Sequence, residues 1–302
     1  MHRIASIVAA ATVVTAAAIT GAGPAFAVSS AHPPARHRAP APAPTYYVSL
    51  GDSLAQGVQP NAKGVSVETN QGYANQLYTA LKMGNPTLKL EKLGCPGETT
   101  ASMIKGGICK YADGSQLAQA VAFLKAHAAA TQVVTIDIGA NDLNPCVVLT
   151  SVPKIVQCLN KVFPPMLKNL ATIMTELRTA GGTSLKIVGM TYYVPELAEW
   201  LAGGAGQQIA DASPELGSIF GQDLRVIYKK FGAPVASLYQ AFDTQDIKTM
   251  VTLPAFGKVP KDVAMVCYYT WECAPKPQGP NEHANVLGYG LIANTFLKVI
   301  AG

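Results

Sequence analysis

Five short apolar runs, separated by helical patterns, constrain the fold of this chain more than any other feature. The runs are rich in Val, Ile and Leu without strict alternation, which is typical of strands buried on both faces of a parallel sheet. Because strands and helices alternate, the sequence predicts a three-layer α/β/α sandwich with a central, mainly five-stranded parallel sheet. The predicted strands are 46–50, 88–93, 132–138, 185–191 and 233–238, and the predicted helices are 72–81, 115–127, 153–179, 219–231 and 286–300.

The first 44 residues differ in composition from the rest of the chain. Residues 1–27 contain Arg3, an apolar stretch and a final Ala-Phe-Ala, which is the layout of a secretory signal peptide. An anchoring helix is the alternative, but the apolar run is short for a membrane span. Residues 28–44 are rich in Pro and Ala, which indicates an extended, disordered linker. We therefore expect a secreted, extracellular protein without a stable membrane anchor, whose folded domain covers 45–302.

The charge of the folded domain is close to neutral. The formal net charge of the whole chain is +5, and three of these excess charges are Arg3, Arg36 and Arg38. The first 44 residues contain no acid, so the domain carries only +2. A near-neutral domain without a Lys/Arg run gives no electrostatic reason to expect nucleic acid or an anionic membrane as a partner.

Six cysteines fit the expectation of export. An even number in a secreted chain suggests three disulfides, although six cysteines allow fifteen pairings. Metal ligation is the alternative, but no C-x-x-C motif occurs and no histidine lies close to the first two pairs, so we expect no metal. The cysteines form three local pairs along the sequence, and the expected disulfides are Cys95–Cys109, Cys146–Cys158 and Cys267–Cys273.

The first three predicted strands each end in a glycine-containing polar loop. These loops are GDSLAQG (51–57), GCPGETT (94–100) and GAND (139–142). Ligands of open α/β sheets bind beyond the carboxyl ends of the strands, where these loops should meet. Glycines there allow backbone N–H groups to approach a ligand closely. Together the loops could supply a hydroxyl, backbone donors and a side-chain amide to one site.

A serine in such a loop needs a base before it becomes a good nucleophile. Of the five histidines, His2, His32 and His37 precede the domain. His127 ends a predicted helix before the third strand, at the wrong end of that strand, so we expect a structural role. His283 lies in a Pro/Gly-rich loop that opens the last predicted helix. It is therefore the candidate base.

Four blocks, GDSLAQG, LGCPGETT, GANDL and HANVLGY, resemble in this order the four blocks of the SGNH (GDSL-type) hydrolases. The letters S, G, N and H match Ser53, Gly97, Asn141 and His283, and the spacings resemble those of secreted actinobacterial esterases and lipases. The resemblance spans 46–302 and implies the flavodoxin-like fold of this family and no cofactor. The sequence lacks G-x-S-x-G, so it does not have the nucleophile elbow of α/β-hydrolases.

The resemblance also implies a reaction. Ser53 would attack an ester carbonyl, and His283 would take its proton and pass it to the leaving alcohol. The backbone N–H groups of Ser53 and Gly97, with the side-chain amide of Asn141, would form the oxyanion hole. We thus expect a serine-dependent carboxylic-ester hydrolase, an esterase or lipase, that acts as a monomer on a small-molecule or lipid ester.

One position departs from the family pattern. The family usually has Asp three residues before the histidine, and here that residue is Pro280. An acceptor is still needed to fix the tautomer of His283. We expect a backbone carbonyl, that of Pro280 or Gly279, to serve, which gives a Ser-His dyad. Glu282 is an alternative whose side chain should point away, and Asn281 could orient the ring through its amide oxygen.

The other polar residues of the strand-end loops have structural interpretations. We expect Asp52 and Asp142 to hold their turns through side-chain to backbone hydrogen bonds. Thr99 and Thr100 could contact substrate, but helix capping is the simpler role.

The substrate is left open by the sequence. The segment 190–195 follows the fourth strand and, with Leu197, Trp200 and Leu201, lines either an acyl pocket or an ordinary packed helix. A carbohydrate O-deacetylase or an acyltransferase would use the same site. A catalytically inactive secreted binding module is the alternative from another class, and the missing aspartate is the one feature that favours it.

Overall fold

The computed structural model describes residues 42–302. The predicted signal peptide, residues 1–27, and residues 28–41 of the predicted linker lie outside the described residues. Within the described part, no helix is both long and apolar enough to cross a bilayer. The first strand begins at Thr45, close to the start of the described chain.

Nine strands occur in residues 42–302, and five of them form a central sheet. In chain order the strands are β1 (Thr45–Gly51), β2 (Gln59–Pro60), β3 (Ser66–Val67), β4 (Leu88–Lys92), β5 (Thr131–Asp137), β6 (Lys186–Thr191), β7 (Val235–Ser237), β8 (Met250–Leu253) and β9 (Gly257–Pro260). The central sheet has the order β4-β1-β5-β6-β7, and all its pairings are parallel. The pairs β2–β3 and β8–β9 are small antiparallel hairpins.

Helices flank the central sheet. The α-helices are α1 (Ser53–Gln56), α2 (Tyr73–Gly84), α3 (Thr100–Lys105), α4 (Gln116–His127), α5 (Asn144–Val147), α6 (Val152–Gly181), α7 (Gly204–Lys230), α8 (Leu238–Ala241), α9 (Lys261–Tyr269) and α10 (Val286–Ala301). Short 3-10 helices cover Ala128–Ala130, Asn141–Leu143 and Pro195–Ala202. Helices α4, α6 and α7 pack side by side, and α2 packs against α10. The predicted α/β sandwich with a five-stranded parallel sheet is confirmed.

The strands form where the sequence is continuously apolar because both faces of the sheet are covered. In β1 the residues from Tyr47 to Gly51 are buried, and in β6 those from Ile187 to Thr191 are buried. Burial on both faces leaves no polar side to produce alternation, which explains why apolar runs predicted the inner strands β1, β5 and β6. The edge strands β4 and β7 are only partly buried. At the amino end of β1, His127 packs against Tyr46 and Phe123, a structural role as expected.

The strand order creates a switch point between β1 and β5. The chain crosses from β1 to β4 on one side and then returns to β5 on the other side. The connections on either side of such a point leave in opposite directions, so a crevice opens beyond the carboxyl ends of these two strands. The loops that follow β1 and β5 therefore line one crevice.

Helix α7 begins fifteen residues earlier than the sequence predicts. The predicted start was 219, and the observed start is Gly204. Pro214 lies inside the helix, and the Tyr239 hydroxyl donates to the Pro214 carbonyl at 2.7 Å. Gly206 lets the first turn approach the preceding 3-10 helix, because a Cβ there would lie 2.5 Å from the Glu199 carbonyl oxygen. Helix α7 thus continues through Pro214, a residue that usually interrupts a helix, where tertiary contacts support it.

Three disulfides staple loops of the domain. The structure joins Cys95 to Cys109, Cys146 to Cys158 and Cys267 to Cys273. Each bridges a short segment of the chain, with sequence separations of 14, 12 and 6 residues. These are the three local pairs expected from the sequence.

Candidate active site

A cavity of about 460 Å³ opens beyond the carboxyl ends of the central strands. Ser53, Asn141 and His283 all line it. Ser53 follows β1 and Asn141 follows β5, so each side of the switch point supplies one of these residues. His283 comes from the loop that precedes α10. Three of the four residues implied by the family resemblance therefore meet at a single cavity.

Ser53 is the first residue of α1, a four-residue helix capped by Asp52. One carboxyl oxygen of Asp52 accepts a hydrogen bond from the Leu54 N–H at 2.9 Å, which is the usual N-cap interaction. This confirms the turn-holding role expected for Asp52. The Ser53 side chain is partly exposed, and its backbone N–H has no partner among residues 42–302. That N–H is available to a ligand.

Gly97 and Asn141 lie in neighbouring loops that are tied together. Gly97 is exposed with a φ of +80°, a conformation that favours glycine, and its N–H also has no backbone partner in the described chain. It is not one of the residues that line the cavity. The Asn141 side-chain amide donates to the Glu98 carbonyl at 3.0 Å, which leaves its second N–H free for a ligand.

The group that faces the His283 ring is the Asn281 side chain, and the prediction of a backbone carbonyl at this place is wrong. His283 Nδ1 lies 2.8 Å from Asn281 Oδ1, whereas neither the Pro280 nor the Gly279 carbonyl accepts a hydrogen bond from this ring in the described structure. The same Oδ1 accepts from the His283 backbone N–H at 3.1 Å, which forms an Asx turn. This turn brings the Asn281 side chain back over the ring, so no backbone carbonyl is needed there.

The tautomer of His283 follows from these contacts. A backbone N–H can only donate, so the Asn281 atom that faces it is the amide oxygen and not the nitrogen. The amide nitrogen donates instead to Ser66 Oγ on β3 at 3.0 Å, which is consistent with this orientation. An oxygen beside Nδ1 requires the proton of the neutral imidazole to be on Nδ1. The other ring nitrogen, Nε2, is then unprotonated and can act as a base.

Burial and nearby acids act in opposite directions on His283. The residue is 7% exposed, and burial lowers the pKa of its imidazole below the usual value. Glu282 opposes this shift from a distance, with Oε1 3.7 Å from Nδ1. Its side chain is 66% exposed, however, so water screens its charge. His283 is therefore mainly neutral at neutral pH.

A pair of buried carboxyl groups lies beneath the nucleophile loop. Asp52 accepts from the Tyr192 hydroxyl at 2.9 Å, and Asp137, the last residue of β5, accepts from the Tyr73 hydroxyl. Burial raises the pKa of Asp52 to about 6. Burial, together with the charge of Asp52, raises the pKa of Asp137 well above its usual range. Burial therefore shifts both carboxyl groups of the pair toward their protonated forms.

Asp142 and Thr99 both have structural roles, although Asp142 holds a neighbouring loop and not its own turn as expected. Asp142 accepts from the Thr100 backbone N–H at 2.8 Å and from the Thr100 hydroxyl at 2.6 Å, which clamps the loop after β5 to the start of α3. Thr99 caps α3, since its hydroxyl accepts from the Ser102 N–H. Asp142 thereby links the loops that contain Asn141 and Gly97.

Sequence reasoning did not identify Gln116 and Tyr73. Gln116 is fully buried at the start of α4; its amide oxygen accepts from the Gly51 N–H at 2.7 Å and its amide nitrogen donates to the Gly51 carbonyl at 2.9 Å. It therefore holds the end of β1 directly before the nucleophile loop. No local pattern marks either residue, although Asp137 within an apolar strand could have suggested a buried polar partner.

The segment after β6 is only in part a cavity wall. Tyr192 and Tyr193 line the cavity, whereas Leu197 is buried in a separate apolar cluster that Trp200 and Leu201 pack against. The ordinary packed helix is therefore the correct alternative for Leu197, Trp200 and Leu201. Among residues 42–302, no three His, Cys, Asp or Glu side chains are grouped so as to hold a metal ion.

The parallel sheet, its switch-point cavity and the polar loops around it define an α/β protein with the fold of the SGNH hydrolases. Comparison with models of protein families identifies the family to which the chain belongs. The chain belongs to the GDSL-like lipase/acylhydrolase family, whose model matches residues 49–254. Enzymes of this family cleave ester bonds, so the chain is an ester hydrolase. The matched range includes Ser53, Gly97 and Asn141 but ends before His283.

Solved structures share the fold at low sequence identity. Phospholipase A1 from Streptomyces albidoflavus has a TM-score of 0.54 at 15% identity, over 85% of this chain and 99% of that one. The extracellular lipase of Streptomyces rimosus has a TM-score of 0.53 at 14% identity, over 84% and 99%. A variant acetyl-xylooligosaccharide esterase from Geobacillus stearothermophilus has 0.52 at 15% identity, over 86% and 95%. Among curated proteins, none matches the sequence.

Proposed function

We propose that the protein is a serine-dependent carboxylic-ester hydrolase, an esterase or lipase, with Ser53 as nucleophile and His283 as base. The observation that carries this proposal is the state of His283. Asn281 holds the proton of the neutral ring on Nδ1, which leaves Nε2 as the basic nitrogen in a cavity that Ser53 also lines. A serine and a free imidazole nitrogen in one cavity are the components of nucleophilic acyl transfer.

The reaction follows from these positions. His283 Nε2 takes the proton of the Ser53 hydroxyl as Oγ bonds to the ester carbonyl carbon, and the carbonyl oxygen becomes negative. The imidazolium then gives this proton to the alcohol oxygen as the carbon–oxygen bond breaks, which leaves an acyl-serine. Water, deprotonated by the same nitrogen, releases the acid and restores Ser53. The two half-reactions leave the enzyme unchanged.

The oxyanion would be bound by three donors. The Ser53 and Gly97 backbone N–H groups have no partner among residues 42–302, and Asn141 retains one free amide N–H. The Asn141–Glu98 and Asp142–Thr100 hydrogen bonds hold the two loops together before substrate arrives. Fixed donors of this kind need little reorganisation in the transition state, and each typically contributes about 3–4 kcal/mol.

Asn281 would take the place of the family's usual aspartate. Its amide oxygen can fix the tautomer as a carboxylate does, but it adds no negative charge beside the ring. The imidazolium formed during catalysis would then be stabilised less. In return, His283 would stay neutral to lower pH, because burial already lowers its pKa. The site would be a Ser-His-Asn arrangement instead of a dyad completed by a backbone carbonyl.

We also propose that the enzyme works outside the cytoplasm. Three disulfides in the described domain favour an oxidising compartment. The composition of residues 1–27 is that of a signal peptide. Protein exported by a bacterial host should lack residues 1–27 by mass spectrometry and contain no free thiol, and an intact amino terminus would contradict this.

The test is hydrolysis of p-nitrophenyl esters of graded chain length by the full chain. We expect Ser53→Ala to lower kcat by at least about 10³-fold, since the remaining binding and oxyanion contacts give only residual catalysis. Ser184→Ala, at an exposed serine away from the cavity, is the matched control and should keep wild-type rates.

Three other results would change the assignment. Hydrolysis that survives Ser53→Ala would refute the proposed nucleophile. Activity confined to acetyl esters would favour a carbohydrate O-deacetylase. Absence of hydrolysis with every ester would favour a binding module that keeps the fold.

A further inference from the structure

We propose that the cavity beside Ser53 is a channel for a medium- or long-chain acyl group, walled by α6 and α7. This inference rests on the proposed function, because it needs the ester carbonyl at Ser53. It goes further by assigning the acyl side of the site and by naming the substrate class as esters of fatty acids.

Two matching apolar stripes form the walls. The residues on one face of α6 that line the cavity follow the spacing i, i+3, i+7, i+11, and those on α7 follow the same spacing. Each stripe extends for about 16 Å at the rise of an α-helix. The stripes are Val152, Ile155, Leu159 and Phe163 on α6 and Ile209, Ala212, Leu216 and Phe220 on α7.

The aromatic end of the channel lies next to the nucleophile. Phe163 stacks on Phe220 with ring centroids 5.7 Å apart, and Phe220 stacks on Tyr192 at 5.8 Å. The Tyr192 hydroxyl in turn donates to Asp52, the residue before Ser53. An acyl chain attached at Ser53 would therefore begin near this stack. It would then run along both stripes away from the sheet.

A disulfide to α5 fixes the α6 wall independently of the central sheet. Cys146 on α5 is bonded to Cys158 on α6, and Cys146, Ile155 and Leu159 form a buried cluster that Leu216 also packs against. Ile155 and Leu159 belong to the α6 stripe. The disulfide thus holds this wall in position whether or not the channel is filled.

A second part of the cavity lining is acidic and does not suit an acyl chain. Glu196, Glu199, Glu272 and Glu282 form this part, and no Lys or Arg among residues 42–302 lines the cavity. Burial, followed by repulsion from the other glutamates, raises the pKa of Glu272 to about 7. Placing an alkyl chain against these carboxyl groups would cost their hydration. The alcohol part of the ester therefore lies on the glutamate side, and the acyl part lies between α6 and α7.

The volume fits a chain better than an acetyl group. At about 460 Å³ the cavity is within the range of sites that enclose drug-sized ligands, and an acetyl group would leave most of it empty. Each methylene that enters the apolar part should raise kcat/KM about fourfold until the channel is full. Acetyl esters should thus be poor substrates in comparison with octanoyl to dodecanoyl esters.

The test compares kcat/KM for p-nitrophenyl acetate, octanoate, laurate and palmitate below their critical micelle concentrations. Ala212→Phe fills the middle of the channel and should lower the rate with laurate at least about 30-fold, while acetate changes less than about threefold. Ile209→Trp, at the far end, should affect only palmitate and laurate. Ala205→Phe, on an exposed position of α7 outside the cavity, is the matched control and should change neither.

Each outcome has a distinct meaning. The channel would be overturned if Ala212→Phe lowers kcat/KM equally for acetate and laurate, or if the wild-type protein hydrolyses only acetate. In both cases Ser53-dependent hydrolysis would remain. Loss of Ser53-dependent hydrolysis with every ester would instead overturn the proposed function. If Ala212→Phe does not fold, displacement of parinaric acid by laurate from Ser53→Ala protein is a readout without catalysis. The channel would be contradicted if laurate fails to displace parinaric acid. It would also be contradicted if laurate displaces the probe equally well after Ile209→Trp is added to the Ser53→Ala protein.

Discussion

The nucleophile half and the histidine half of the site are held in different ways. Ser53 lies at the end of a central strand, and buried hydrogen bonds from Gln116 to both backbone groups of Gly51 fix that end. His283 lies in a loop outside the sheet, which is held by short contacts such as Trp271 N–H to the His283 carbonyl at 3.0 Å. The first half is fixed by a strand of the central sheet, and the second by hydrogen bonds to elements outside that sheet, such as the one from Asn281 to Ser66 on β3.

The electrostatics of the two halves also differ. Beneath Ser53 a carboxyl pair is buried and raised in pKa, so its charge depends on pH. Beside His283 the orienting group, Asn281, is a neutral amide that does not titrate. Stability should therefore depend on pH through this carboxyl pair and also through Glu272, whose pKa is raised to about 7, whereas the acid limb of activity should depend on His283.

Among the substitutions that distinguish the two halves, those at Asn141 should lower kcat the most. Asn141→Ala removes an oxyanion donor and the hydrogen bond to the Glu98 carbonyl, so we expect kcat to fall about 10²- to 10³-fold. Asn141→Asp should be at least as damaging, because a carboxylate would face the developing negative charge. Steady-state kinetics with one ester measure this, and a kcat within threefold of wild type in both variants would remove Asn141 from the oxyanion hole.

Removing the group that orients the base should have a smaller effect. Asn281→Ala frees the His283 ring and its tautomer, and we expect kcat to fall about 10- to 100-fold, or about 1.4–2.7 kcal/mol of barrier. Glu282→Gln is the matched control on the neighbouring residue. Its exposed carboxylate should matter less than threefold, and a deeper loss than in Asn281→Ala would transfer the orienting role to Glu282.

A charge at position 281 should move the pH profile. In Asn281→Asp a carboxylate beside Nδ1 favours the imidazolium, so the pKa of His283 rises and the neutral base is lost at a higher pH. The acid limb of kcat/KM should shift upward by about one pH unit, with less activity at pH 5–6 and equal or greater activity at pH 8. An unchanged acid limb would mean that residue 281 does not contact the catalytic ring.

The smallest effect on activity is expected in the buried carboxyl pair. Since the pKa values of Asp52 and Asp137 are raised in the folded protein, the native state binds more protons than the unfolded chain above about pH 4. Stability should then fall as pH rises through the folded pKa values, by up to about 1.4 kcal/mol per pH unit for each group. Asp137→Asn should keep kcat within about fivefold and flatten this dependence.

Thermal melts from pH 5 to 8 measure that prediction. Asp113→Asn, at an exposed aspartate, is the control and should melt in parallel with wild type. A wild-type Tm that stays level or rises over this range would contradict the raised pKa values of the carboxyl pair beneath the nucleophile.

The two halves also differ in how far the sequence predicts them. The inner strands of the sheet were predictable because burial on both faces leaves continuous apolar runs, and the loops after the strands were predictable as one site because strand-end loops meet by topology. His283 was found by elimination, but its partner was not. An Asx turn at Asn281 depends on backbone geometry within the loop, which no spacing pattern encodes.

Elements held by tertiary contacts were missed for the same reason. The β8–β9 hairpin and α9 pack in an apolar cluster around Val259 and Val263 that also contains Leu197 and Tyr239. These short elements carry little periodic signal. The early start of α7 was hidden by Pro214. This part of the helix supplies Ile209 and Ala212 to the proposed channel, so the acyl side of the site could not be derived from the sequence.

The measurement that tests the central claim most directly is covalent labelling by diethyl p-nitrophenyl phosphate, followed by peptide mass spectrometry. Attack on phosphorus releases p-nitrophenolate and leaves a diethylphosphoryl ester on the nucleophile. We expect one p-nitrophenolate released per chain, one adduct located on Ser53, and labelling slowed at least about 100-fold in His283→Ala. An adduct on another residue, or labelling of Ser53 at an undiminished rate without His283, would contradict the assignment of nucleophile and base.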